Sequence, residues 1–93
     1  MHMPPFGKKD SWFSQRWIHD NFLPVLNEAG VDILFGAHHH RYMYLKPGED
    51  GNDFPIVVNS NEERLDFKAT ASGIEVGIFN REGNATHNLN FEK

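Results

Sequence analysis

Cysteine is absent from the chain, which removes a disulfide framework, thiolate metal ligation and a cysteine nucleophile together. The absence leaves the compartment open, because cytosolic and secreted domains can both do without cysteine. Basic charge is also scarce. Nine Lys and Arg stand against thirteen Asp and Glu, giving −4 with His neutral. The basic residues are scattered singly or in pairs, so no stripe exists to follow a phosphate backbone and no nucleic-acid partner is expected. No apolar run approaches the ~20 residues of a membrane span, and residues 1–30 hold no apolar core of a signal peptide. Apolar residues make up 39% and the mean hydropathy is −0.58. Eight Phe, two Trp and two Tyr still provide bulk for a core. A chain of 93 residues fits one small domain, or a piece of a larger one. Such a chain buries roughly 60–65% of its unfolded surface.

Met1 to Gly7 contains two prolines and a glycine and reads as the end of a strand running into a turn. A first helix is expected over about 10–21, with Asp10 or Ser11 as N-cap. Phe13, Trp17 and Asp20 share one face, and Trp12 and Trp17 are expected to pack between helix and sheet. A second helix is expected over about 23–29, with Pro24 in its first turn and Gly30 closing it. Val31 to Ala37 is almost continuously apolar, which suits a strand covered on both faces. Pro55 to Asn59 is a second strand of this kind. Residues 64–70, 73–79 and 85–91 alternate, with a turn at 80–84, and read as an antiparallel meander. The fold class is therefore α/β, with a mixed sheet, helices on one face and the meander extending an antiparallel edge.

His38-His39-His40 follows the first apolar run. In an extended strand His38 and His40 would share one side, roughly 6.5–7 Å apart, with His39 pointing the other way. Two imidazoles so placed suit adjacent metal ions, and histidine nitrogen binds zinc, iron, copper and nickel. His2 sits at another strand-to-loop boundary, where α/β sheets gather their functional groups. Read as isolated residues, the same histidines could equally be surface or satisfied core positions. His19 and His87 are expected to be unrelated to the site.

Taken together, His2-Met3-Pro4-Pro5, Gly30-Val31-Asp32-Ile33-Leu34-Phe35-Gly36, His38-His39-His40-Arg41-Tyr42 and Pro55-Ile56-Val57-Val58-Asn59 resemble a known pattern. It is similar to the C-terminal half of calcineurin-like metallophosphoesterases, in the purple-acid-phosphatase-related branch. The resemblance runs through residues 1–60 by motif and through the tail by strand pattern. It implies one domain over residues 1–93, part of a metallophosphoesterase sandwich. It also implies that His2 and His38 help bind one metal of a pair and that His40 binds the other. The ions would be divalent or trivalent Zn, Mn or Fe, and a metal-activated hydroxide would attack a phosphoester. Ala37 stands where the family usually has glycine.

The family's Asp-x-His, Gly-Asp and Gly-Asn-His-Asp/Glu motifs do not occur in this sequence. The resemblance thus implies that the carboxylate ligands come from an N-terminal half of the same catalytic domain, and that the segment alone is inactive. A non-catalytic metal- or ligand-binding module with a similar fold is the alternative. Around the histidines, His39, Arg41 and Tyr42 could frame the pocket or reach a phosphate, and Tyr42 could equally pack at the strand end. Asn59 could orient a ligand histidine or close a turn. Glu49, Asp50 and Asp53 lack the regular spacing of a calcium loop and read as a solvated loop. Asn84-Ala85-Thr86 matches the glycosylation sequon.

Overall fold

The computed structural model describes residues 1–7 and 12–92. The expected N-caps Asp10 and Ser11 lie outside the described residues. Helix α1 runs over Phe13–Asn21 and α2 over Leu23–Ala29. Trp12 caps α1, and its backbone N–H donates to Gln15 Oε1 at 3.3 Å. Pro24 sits in the first turn of α2, where a missing N–H costs nothing, and Gly30 closes the helix in the left-handed conformation.

A mixed sheet follows, formed by β1 (Leu34–Gly36), β2 (Met43–Leu45) and β3 (Ile56–Val58). Its order is β1-β3-β2, with β1 parallel and β2 antiparallel to the central strand. The register aligns Leu34, Ile56 and Leu45 in one row, and Gly36, Val58 and Met43 in another. These rows share a core with Phe6, Leu23, Leu26, Val31 and Phe54, so the helical layer covers this face. The middle row, Phe35, Val57 and Tyr44, points to the opposite face because side chains alternate along a strand.

That opposite face meets a second sheet. Strands β4 (Arg64–Thr70), β5 (Gly73–Phe79) and β6 (Ala85–Glu92) form an antiparallel meander in the order β4-β5-β6. Ile74, Val76 and Ile78 are its buried residues. Phe35 meets Phe67 at 5.2 Å between ring centroids, and Tyr44 meets Phe91 at 5.8 Å. The protein is thus a mixed α/β structure with a helical layer, a mixed sheet and an antiparallel sheet. The meander does not extend the edge of the mixed sheet, as the sequence suggested. Val57 needs cover on a face the helices do not reach, and the one-sided apolar pattern of residues 64–91 supplies it.

Two further expectations are corrected, and one strand is added. Residues 1–7 form no strand, although the Met1 amino group donates to Phe35 O at 2.8 Å and Ala37 N–H donates to His2 O at 2.7 Å. Residues 43–45 form a strand the sequence did not suggest. Trp12 and Trp17 are 61% and 56% exposed, so neither packs between helix and sheet. Helix α1 turns Gln15, Ile18 and His19 inward and leaves Phe13, Trp17 and Asp20 exposed. Gln15 and His19 on its inner face find hydrogen-bond partners in Pro4 O and Asp50 O, and Ile18 lies between them.

Candidate metal centre

The chain leaves β1 through a tight bend and not through an extended segment. His39 N–H donates to Ala37 O at 2.8 Å, closing a three-residue turn centred on His38. His38 has φ 70° and His40 has φ 60°, both in the left-handed region that non-glycine residues avoid. Turns of this kind cost on the order of 1–3 kcal/mol and persist where surrounding contacts hold them. The 6.5–7 Å spacing expected for a strand therefore does not apply to His38 and His40.

The bend carries the His38 ring toward His2. Their centroids lie 5.4 Å apart, with the planes at 83°. Trp12 stands edge-on to the same His38 ring at 4.4 Å and 87°. Two imidazoles bound tetrahedrally to one ion at 2.0–2.1 Å would hold their centroids about 5 Å apart. The observed separation is close to that figure. His38 is half-buried and His2 exposed, so the pair is open to solvent.

His40 faces elsewhere. It is exposed and lines a cleft of about 590 Å³ together with Arg41, Tyr42, Glu63 and Arg81. Arg41 is exposed at the rim. Tyr42 stacks face to face on His87, 3.7 Å between centroids and 8° between planes, and burial pushes its phenol pKa up. Tyr42 thus both packs on His87 and lines the His40 cleft. Glu63 accepts from the hydroxyls of Thr86 and, at 2.9 Å, Ser60. Those two hydrogen bonds, with the nearby His87, hold its carboxyl below the usual range.

Asn59 closes a turn. Its N–H donates to Gly36 O at 3.1 Å and its side-chain amide to Glu63 O at 2.8 Å. Its Oδ1 is buried without a hydrogen-bond partner among the described residues. His39 is anchored on the helix side, with Gln15 Nε2 at 2.8 Å from its Nε2 and Phe6 at 5.3 Å between centroids.

Sequence reasoning passed over Gln15 and set His19 apart from the site. Gln15, on the inner face of α1, is fully buried. His19 joins α1 to the 46–54 loop. Its Nδ1 lies 3.0 Å from the Asp20 carboxylate and its Nε2 lies 2.7 Å from Asp50 O. Burial opposes a charged ring, but hydrogen bonds and charge from Asp20 and Asp50 outweigh it and raise the His19 pKa above 6.5. The same loop is organised from within by Asn52, which is buried and bonded to Lys46 O, Phe54 O and Asp50 N–H. Two of the loop's carboxylates are used in structure: Glu49 accepts from Lys46 N–H, and Asp50 from Gly7 N–H.

Among the described residues, no group of three or more His, Asp or Glu side chains is placed to hold one ion. The centre therefore offers a pair of imidazoles at one point and a single imidazole at another. No protein-family model and no curated protein matches the sequence. Among the described residues no helix is long and apolar enough to cross a membrane.

Proposed function

We propose that this chain supplies one wall of a dinuclear metal centre for phosphoester hydrolysis, in the manner of the C-terminal half of a calcineurin-like metallophosphoesterase. The observation that carries the reading is the approach of His2 to His38 at 5.4 Å, from distant parts of the sequence. The motif resemblance assigns these two histidines to one metal and His40 to the other. The His2–His38 approach supports the first assignment, whereas His40 lines a separate cleft and would have to turn toward the pair for two ions to share one centre.

Two bound ions would supply an acidified water and neutralise charge on the phosphoryl group. The chain's own part is to present neutral imidazole nitrogens. His2 and His38 would hold one ion, and His40 the other. Arg41, exposed at the rim beside His40, carries a permanent positive charge suited to a phosphate oxygen. Carboxylates to bridge the ions would come from an N-terminal half of the catalytic domain. A non-catalytic metal-binding module is the second reading, favoured because no three His, Asp or Glu side chains among the described residues are placed to hold one ion.

Zinc titration followed through the histidine ring NMR signals tests the proposal. The expected result is early shifts confined to His2 and His38, with His40 responding later. Uniform shifts across all six histidines, or none, would overturn it. A p-nitrophenyl phosphate assay separates the two readings when an N-terminal half bearing the three missing motifs is added. Metal-dependent turnover supports the enzyme reading, and metal binding without turnover supports the module.

A further inference from the structure

We infer that Gln15 is a positioning residue whose carboxamide sets the separation of His2 and His38. The inference rests on these two histidines being the pair that meets a metal. Gln15 is 0% exposed, on a helix whose neighbouring aromatic residues face solvent. A buried amide is costly unless its donors and acceptor are all engaged. Here they are. Nε2 donates to Pro4 O at 3.1 Å and lies 2.8 Å from His39 Nε2, while Oε1 accepts from Trp12 N–H at 3.3 Å. The two Nε2 protons match these two acceptors, which leaves the proton of a neutral His39 ring on Nδ1.

Each partner adjoins the histidine pair. Pro4 lies two residues beyond His2, His39 follows His38, and Trp12 has its ring against His38 at 4.4 Å. One side chain thus ties the segment bearing His2, the turn bearing His38 and the residue that flanks it to a single point on α1. Gly36 favours the arrangement from the sheet side. A Cβ there would lie 3.2 Å from the Pro4 ring, a contact tight enough that Pro4 would have to give by a few tenths of an ångström. Helix capping alone does not account for Gln15. The cap needs only Oε1, whereas the donor half of the amide is spent entirely on Pro4 and His39.

Gln15→Glu separates these roles, because it keeps an oxygen for Trp12 N–H and removes the donors. Gln15→Leu removes both while keeping apolar bulk, and gives the same readout if the glutamate variant does not fold. Leu26→Ala, on α2 at the edge of the helix–sheet core, is the control for general loosening. Two measurements on the 93-residue chain decide the matter: nuclear Overhauser effects between the His2 and His38 rings without metal, and titration with Co²⁺. Both Gln15 variants are expected to lose the ring-to-ring effects and to weaken Co²⁺ binding tenfold or more. Leu26→Ala is expected to lower the Tm and keep both properties. Retention of wild-type effects in a folded Gln15 variant, or their equal loss in Leu26→Ala, would overturn the inference. Wild-type protein that shows the ring effects but binds no Co²⁺ would remove the metal reading and leave the strut intact.

Discussion

His2 and His38 stand edge to face at 5.4 Å, although two helices and a strand separate them in sequence. The contact depends on the bend at His38, since an extended chain would carry its ring past His2. Replacing either residue by alanine should weaken Zn²⁺ binding at least about tenfold, or ~1.4 kcal/mol. His87→Ala should leave the first ion unaffected. Competition against a chromophoric chelator measures all three, and equal losses would dissociate the pair from metal binding.

Asn52→Ala removes three hydrogen bonds from inside the 46–54 loop, two of them from its amide to Lys46 O and Phe54 O. Leaving those groups without the amide should cost about 1–3 kcal/mol. For a domain of this size each kcal/mol lowers the Tm by about 4–8 °C. Calorimetry reads the change directly.

His19 contributes a pH dependence of definite sign. Its pKa is raised in the folded chain by Asp20 and Asp50 against the opposing effect of burial. Its stabilisation is therefore complete below the unfolded value of 6.5 and fades as pH rises through the higher folded value. His19→Gln should flatten the stability profile in that window. Urea midpoints collected from pH 6 to 8 provide the test; an unchanged slope in the variant would refute the assignment.

Glu63 acts in the opposite direction. Hydrogen bonds from Thr86 and Ser60 lower its pKa, so its contribution is present above 4.5 and disappears as pH falls through the folded value. Glu63→Gln should reduce the sensitivity of the fold to acid between pH 5 and 3. Far-ultraviolet circular dichroism along an acid titration follows the effect.

Much of the chain declares its structure through pattern. Residues 64–70 and 73–79 alternate cleanly, and β4 and β5 occupy those spans. Pro24 and Gly30 mark the two ends of α2 as the rules for helix termini require. Other features depend on tertiary contacts. Met43-Tyr44-Leu45 is a strand because it pairs with β3, and three residues carry no period of their own. The stacking of the meander on Val57 follows from which face of the mixed sheet remains uncovered. Helix α1 misleads by composition. Its aromatic residues suggest an inner face, but the hydrogen-bond partners of Gln15 and His19 decide its rotation. At the candidate centre, the motifs single out His2, His38 and His40, but they do not signal the bend at His38 or the separate cleft that His40 lines. Nothing in three consecutive histidines signals a left-handed backbone.

The central strand β3 has a consequence for how the chain melts. Ile56 and Val58 belong to the core under the helices, and Val57 to the space between the sheets. Three successive residues thus form a partition shared by two chambers, each chamber closed by a different stretch of sequence. Separating either side wets the partition and weakens the other. Amide exchange at Ile56, Val57 and Val58 should accordingly proceed only through an opening of the whole molecule, with both layers released in one cooperative step.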